Sequence, residues 1–178
     1  MLVNKNSKKT PRLFTLAFFI GIFLVAFTVG SEVQIEKTEA NQITNMMGEK
    51  MKTVVDNSVG AGIFLNNAKI ALLMFTPALG IIIGISTAFT TGMVVSAIGS
   101  VHELAFPAIT LLLFSPFGIM ELFAYGIAMS RSFLILLALI RKQSLKPQLK
   151  MIGIEIGMVV GLLFFGGIIE NFIINSRV

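Results

Sequence analysis

Residues 115–122 read SPFGIMEL and open an apolar run that continues to about Ile140. The run can cross a bilayer, because about 20 helical residues span the roughly 30 Å of hydrocarbon. It contains a carboxylate, Glu121. An ionisable group in a membrane helix normally faces other helices or a wet cavity, so Glu121 marks the interior of a helix bundle and a candidate working site.

The composition of the whole chain points to the same class. Its 178 residues are 55% hydrophobic and 13% charged, and their mean hydropathy is +0.88, values outside the range of soluble domains. The net charge of +5 does not indicate nucleic-acid binding, because most of the excess lies in two clusters beside apolar segments. The lack of cysteine excludes disulfides and cysteine metal sites. The predicted partner is the lipid bilayer and not nucleic acid.

Five apolar segments are long enough to span the membrane, at about 13–30, 63–87, 93–114, 117–140 and 151–174. The third is interrupted by His102, Glu103 and Pro107, and is either one tilted helix or a span followed by a re-entrant hairpin. The first is either a cleaved signal peptide or a retained anchor, and its long apolar core favours the anchor. We predict an all-α membrane protein with a bundle of about five transmembrane helices.

The basic residues orient the chain. One cluster precedes the first segment and the other fills the loop between the fourth and the fifth: Lys5, Lys8, Lys9 and Arg12, then Arg141, Lys142, Lys146 and Lys150. Five spans put both clusters on one side, and short cytoplasmic loops carry an excess of Lys and Arg. We therefore predict a multi-pass protein of the cell membrane with a cytoplasmic N-terminus and an extracytoplasmic C-terminus.

The only sizeable polar segment separates the first two spans. Five of its apolar residues recur at helical spacing: Ile43, Met47, Met51, Val54 and Val55. The spacing predicts an extracytoplasmic amphipathic helix, which caps its own bundle, lies in the outer interface or docks on a partner. The predicted organisation is a basic N-terminus at 1–12, an anchor helix at 13–30, the amphipathic segment at 31–61, a four-span membrane domain at 62–174 and a short outer tail at 175–178.

Small residues indicate where helices approach closely. Gly153, Gly157 and Gly161 form two overlapping small-xxx-small units in the fifth segment, and a further unit in the second segment consists of Gly80 and Gly84. Because lipid gives helices no hydrophobic drive to associate, such faces usually build contacts between helices. A contact within the chain is favoured over a homo-oligomer interface.

Four more charged residues fall inside the apolar segments and match in depth: Arg131 with Glu155 near the inner anchors, and Lys69 with Glu170 near the outer ends. Pairing removes the cost of burying each charge, so a structural role is favoured over a solute or proton path. Glu121 has no charged mate at its depth. We expect it to accept hydrogen bonds from Asn66, Asn67 or Tyr125.

The sequence carries no catalytic constellation. His102 is the single histidine and stands beside Glu103 with no second imidazole, so no metal site is predicted. No phosphate-binding loop occurs, and spacing matches no general base to a serine. We therefore predict that the protein is not an enzyme and binds no cofactor or metal.

Several short motifs keep a common order and spacing: Asn66-Asn67, Gly80 and Gly84, Thr91-Gly92, Pro116-Phe117-Gly118, and Glu121-Leu122. Together they resemble the stage II sporulation protein M family of multi-pass membrane proteins, over about residues 63–172. Two positions depart from the family pattern. Phe117 replaces the histidine of a Pro-His-Gly triplet, so any role of that imidazole is lost, and Thr91 replaces the asparagine of an Asn-Gly turn.

The resemblance implies a five-span helical protein without catalytic activity, of a family whose sporulation members act as scaffolds that localise peptidoglycan-remodelling enzymes at the septal membrane. We therefore predict a non-enzymatic scaffold or assembly protein that organises other membrane or extracytoplasmic proteins. The alternatives are a permease-like or channel-like subunit, with Glu121, Arg131 and Glu155 along a polar path, and an accessory subunit of a larger membrane enzyme. Buried charges that pair favour the scaffold, whereas charges that line a continuous cavity favour transport.

Overall fold

The computed structural model describes residues 12–55, 61–101 and 107–176, which are helical apart from short connections. The α-helices in these ranges are α1 (Arg12–Ser31), α2 (Lys37–Val55), α3 (Ala61–Leu73), α4 (Leu79–Val101), α5 (Ala108–Phe114), α6 (Pro116–Ile140) and α7 (Leu149–Asn175). A short 3-10 turn, Lys146–Gln148, precedes α7. Among the described residues, four helices are long and apolar enough to cross a membrane, namely α1, α4, α6, and α7 together with the turn before it. The all-helical membrane class is therefore confirmed.

The second and third predicted spans are not continuous helices. The segment predicted at 63–87 is divided between α3, which ends at Leu73, and α4, which begins at Leu79. α4 runs on to Val101, so it also takes the first part of the segment predicted at 93–114. The 13 residues of α3 are apolar but fewer than a spanning helix needs. The predicted count of five helices of spanning length is thus not met in the ranges described.

The backbone breaks between α3 and α4 for local reasons. Pro77 has no N–H to donate to a helix, and Ala78 takes a left-handed backbone with φ of 64°. The sequence predicts only a kink at this proline. Ser132 of α6 donates its hydroxyl hydrogen bond to the Thr76 carbonyl at 2.7 Å, so the break leaves that carbonyl satisfied.

α1 and α4 cross the bundle in the same direction. Arg12 and Gly80, near their first residues, both lie against residues 130–132 of α6. Farther along, the Ser96 hydroxyl of α4 donates to the Val33 carbonyl, just beyond α1, at 2.6 Å. The chain between α1 and α4 must therefore return across the bundle, and α3 with the break after it makes that return.

The bundle has two ends that hold different polar groups. At the first, Arg12 shares a carboxylate with Arg131, and Arg131 also bonds to the loop at 141–148. We call this the basic end, and it brings together the described members of the two predicted basic clusters. Residues 1–11 lie outside the described part. At the second, Glu121 of α6 and Glu170 of α7 line one cavity, and we call this the cavity end.

α6 is the central helix. In the apolar stretch of α6 that can span the membrane, 61% is buried inside the protein. The corresponding share is 28% or less in the other three spanning helices. The aromatic side chains Phe19, Phe23 and Phe27 of α1 are all buried and recur at helical spacing, so they form one face of that helix. The Phe23 ring packs on the Tyr125 ring of α6 with centroids 5.6 Å apart. This face joins α1 to the centre of the bundle.

α2 lies at the cavity end and packs on α4 and α3. Ala40 is fully buried, whereas Met46 is 70% exposed. The side chains at 50–55, which include three of the predicted apolar positions, lie outside the described part. The predicted helix is therefore present, and its behaviour as an amphipathic helix at the membrane surface stays a prediction.

The glycines of α7 correct the packing prediction. A Cβ placed on Gly153, Gly157 or Gly161 would meet nothing within 4 Å in the part of the chain that the structure describes. These glycines lie on the outward face of α7, because its inward face consists of Glu155, Val159 and Leu163 at i, i+4 and i+8. The predicted intrachain contact at this face is wrong.

Close packing occurs instead at other glycines. A Cβ on Gly80 would meet the Met74 backbone and the Ser132 side chain, and one on Gly84 would meet Met129. These two positions pack as predicted. The tightest crossing was not predicted as packing: Gly30 lies against the backbone of Phe89, and Gly92 lies against the backbone of α1 from Phe27 to Ser31. The α1–α4 crossing therefore depends on small residues.

Candidate functional site

The predicted pair Arg131–Glu155 forms at the basic end. Arg131 Nε donates to Glu155 Oε2 at 2.5 Å, and Arg131 Nη2 donates to Glu155 Oε1 at 2.6 Å. Arg12 Nε donates to the same Oε1 at 2.8 Å. Arg131 is 4% exposed and Glu155 is 5% exposed. Two guanidinium groups thus share one buried carboxylate, and the bidentate contact with Arg131 is the strong geometry for such a pair.

Neighbouring groups accept from the other guanidinium nitrogens, so that each nitrogen of the two arginines has a partner. Arg12 Nη1 donates to Ser130 Oγ at 2.5 Å, and Arg12 Nη2 donates to the Ile127 carbonyl at 3.3 Å. Arg131 Nη1 donates to Gln148 Oε1 at 3.4 Å. The cluster is therefore closed on itself and ties α1, α6 and α7 together. Sequence analysis missed Arg12 because it assigned this residue to the cytoplasmic tail, although it directly precedes the first apolar run.

The cavity end carries the second polar site. A cavity of about 390 Å³ lies among α1, α2, α3, α4, α6 and α7. Its polar lining includes Asn66, Asn67, Thr91, Glu121, Tyr125 and Glu170, and apolar side chains of the surrounding helices complete it. The predicted motif residues Asn66, Asn67 and Glu121 therefore meet in one place.

The start of α6 positions Glu121. Ser115 is the N-cap, and its hydroxyl accepts from the Gly118 backbone N–H at 3.1 Å. Pro116 occupies the first turn, where no intrahelical N–H partner is needed. Pro116 and Gly118 of the predicted motif thus begin the helix and do not line the cavity. Glu121 follows one turn later and points to the cavity.

Asn67 bonds to the Glu121 carboxylate, and Asn66 bonds to Asn67. The Asn67 side-chain amide donates to Glu121 Oε1, and the Asn66 amide donates to Asn67 Oδ1 at 3.3 Å. Of the three donors expected for Glu121, the structure supplies Asn67. Tyr125 also lines the cavity, and its ring packs on the Phe23 ring.

The predicted pair Lys69–Glu170 does not form in the residues that the structure describes. The cavity-facing residues of α3 are Ile63, Asn66, Asn67 and Ile70, which follow the spacing of one helix face. Lys69 lies off that face and is exposed, so it turns away from the cavity. Glu170 lines the cavity and makes no hydrogen bond or ion pair with any described residue.

A stripe of hydroxyls on α4 also faces the cavity and was missed. Thr87, Thr90 and Thr91 follow i, i+3 and i+4 spacing, a signal visible in the sequence as polar residues recurring within an apolar helix, and Val94 continues the same face. The Thr91 hydroxyl donates to the Thr87 carbonyl at 2.8 Å and still offers an acceptor to the cavity.

No group of three or more His, Asp or Glu side chains suited to a metal occurs within residues 12–55, 61–101 and 107–176. His102 and Glu103 lie outside those ranges.

Comparison with known proteins gives one positive finding. The family model described as Stage II sporulation protein M matches residues 13–174, a range that includes the cavity and all of the basic-end cluster except Arg12. No curated protein matches the chain, and no solved structure matches it. The resemblance inferred from the motifs is confirmed.

Proposed function

The chain belongs to the stage II sporulation protein M family, and on this premise we propose that it is a non-enzymatic membrane scaffold that organises partner proteins. The observation that carries the proposal is the closed cluster at the basic end. Arg12, Arg131 and Glu155 satisfy one another and do not line the cavity. A polar path through Glu121, Arg131 and Glu155 would need all three along one opening. Paired charges support a structural bundle and not a conduit.

Membrane sidedness follows from the same end. Short cytoplasmic loops carry the excess of Lys and Arg, so we infer that the basic end faces the cytoplasm. α1 and α4 run in the same direction, and this supports a crossing by α3 between them. Its 13 residues rise about 20 Å, and the break at 74–78 extends that reach. The inferred topology has five crossings, and it presents α2 and the cavity outside.

We assign the partner surface to the exposed side of α2. Met46 is 70% exposed there, although a flexible apolar side chain normally seeks contact. α2 is also held on α4 and α3, so the surface is fixed relative to the bundle. An extracytoplasmic partner would bury Met46 without disturbing the core.

Co-purification in mild detergent tests this assignment. The full chain should bring down a defined set of membrane or extracytoplasmic proteins, and Met46→Glu should remove them. Asn41→Glu is the matched control, because Asn41 is exposed on another side of the same helix and gains the same charge. Equal recovery with Met46→Glu and the parent chain would refute the surface, and an absence of any stoichiometric partner would refute the scaffold.

The cavity favours a second candidate, a permease-like subunit. Two carboxylates, two asparagines and a threonine stripe face one opening within a membrane bundle. Glu121→Gln separates the two candidates, because glutamine keeps an acceptor for Asn67. A scaffold should keep its fold and partners with this change. A permease-like protein should fold and lose its activity.

A further inference from the structure

We propose that the cavity binds a small organic cation, a primary ammonium group with an apolar substituent. This inference does not depend on the scaffold role. The cavity has about 390 Å³, which is within the range of small-molecule sites and larger than a bare metal ion requires.

The charged residues that line the cavity favour a cationic ligand. Glu121 and Glu170 both line it, and no Lys or Arg is among the lining residues that the structure describes. Lys69 is exposed on another face of α3. The guanidinium groups of Arg12 and Arg131 are bound to Glu155 at the other end. Two carboxylates in a membrane bundle carry a large desolvation cost, and a bound cation would offset it.

Tyr125 gives an independent reason to expect a ligand. It is 3% exposed and lines the cavity, and its hydroxyl has no hydrogen-bond partner in the part of the chain that the structure describes. A buried tyrosine hydroxyl normally finds a partner. The hydroxyl of Tyr125 is therefore an unused polar group, open to whatever occupies the cavity.

The lining suits a primary ammonium group. An ammonium group has three N–H donors and no acceptor. The cavity offers acceptors on Glu121, Glu170 and Tyr125, and the Thr91 hydroxyl adds another. The rest of the wall includes the Phe23 ring and several aliphatic side chains, which suit an alkyl or aryl substituent and a cation near an aromatic face.

The chain supplies its own reporter for a test. It contains one tyrosine, Tyr125, and no tryptophan, so its tyrosine fluorescence comes from the cavity alone. The purified full chain in detergent is titrated with n-butylammonium chloride, with sodium chloride adjusted to hold ionic strength constant. We expect a saturable change in tyrosine fluorescence. 1-Butanol, which has the same chain and no charge, and tetramethylammonium, which has the charge and no N–H, should not produce it.

Two variants locate the site. Glu170→Gln should weaken n-butylammonium binding about tenfold or more, because it removes a charged acceptor without removing shape. Lys69→Gln, a charge change on the exposed face of α3, should leave binding unchanged. Thermal unfolding of both variants should match the parent chain, so that a loss of binding is not a loss of fold.

The proposal is overturned by several outcomes. An equal response to 1-butanol would make the site a simple apolar pocket, and an equal response to tetramethylammonium or sodium would make it a site for charge alone. Retained affinity in folded Glu170→Gln would place binding elsewhere. If fluorescence stays unchanged, calorimetry with n-butylammonium decides, and an absence of saturable heat rejects the site.

Discussion

The two ends of the bundle treat buried charge in opposite ways. At the basic end, one carboxylate is shared by two guanidinium groups, and each charge has a partner within the chain. At the cavity end, two carboxylates face one opening, and the described residues of its lining include no Lys or Arg. Burying a charge in a membrane bundle is costly. A buried charge that has an oppositely charged partner therefore indicates a structural role, and one without such a partner indicates a functional site.

The difference between the two ends arises from the charged residues of two helices. α6 carries an acid at the cavity end and a base at the basic end, Glu121 and Arg131. α7 carries an acid at each end, Glu155 and Glu170. When α6 and α7 pack antiparallel, acid meets base at one end and acid meets acid at the other. The imbalance at the cavity end thus follows from the second acid of α7.

The largest effect should come from breaking the closed cluster. Glu155→Gln leaves Arg131 buried without a carboxylate, and we expect a loss of about 3 to 5 kcal/mol in unfolding free energy. Glu170→Gln, the matched change at the cavity end, breaks no pair and should cost less than about 0.5 kcal/mol. Denaturant unfolding in mixed micelles measures both.

A double change sharpens this test. Arg131→Met with Glu155→Leu removes both partners and should recover much of the loss seen in Glu155→Gln. Equal losses for Glu155→Gln and Glu170→Gln would erase the distinction between the two ends. A coupling below about 0.6 kcal/mol between Arg131 and Glu155 would show that the cluster stabilises little, as membrane hydrogen bonds often do.

The next largest effect concerns the crossing of α1 and α4, because α1 contributes residues to both ends of the bundle. α1 brings Arg12 to the basic-end cluster and Phe23 to the cavity. Its path depends on Gly92, which lies against the α1 backbone. Gly92→Val should cost about 1 to 3 kcal/mol, because backbone atoms of α1 cannot yield as a side chain can. Gly157→Val on the open face of α7 is the control and should be near neutral. A loss at Gly157 equal to that at Gly92 would show that the α7 face is packed after all.

The smallest effect concerns the break at residues 74–78. It allows α3 to line the cavity and α4 to begin at the basic end. Ala78 has a left-handed backbone, so Ala78→Gly should raise stability by about 1 kcal/mol. Ala17→Gly, at an exposed position within α1, should lower it by a similar amount. Opposite signs in the same unfolding assay are the expected result. A loss at both positions would argue that residues 74–78 continue a helix in the membrane.

Depth along a helix could be predicted from the sequence. Counting residues from the basic anchors matched Arg131 to Glu155, and the structure joins them. The apolar run at 117–140 was predicted as a helix holding Glu121, and Asn67 was among the donors expected for its carboxylate. These predictions needed only the rise per residue and the length of the apolar runs, which are local properties.

The direction in which each helix face points could not be predicted in the same way. Lys69 and Glu170 match in depth, but Lys69 lies off the cavity face of α3. The Gly153, Gly157 and Gly161 stripe meets no other part of the described chain, because spacing alone does not say which face a neighbour covers. Hydropathy also passed over the break at 74–78, since a turn made of apolar residues looks like a continuous span.

The central claim is that the closed basic end faces the cytoplasm and the open cavity end faces outward, with α3 making a full crossing between α1 and α4. Single cysteines at Ser144 and Asn41 test it directly, because both positions are exposed and the chain has no cysteine of its own. In intact cells an impermeant thiol reagent should label the cysteine at Asn41 and not the one at Ser144, and both should label once the membrane is opened. Labelling at Ser144 in intact cells would contradict the account, and protection of both positions would mean that α3 does not cross.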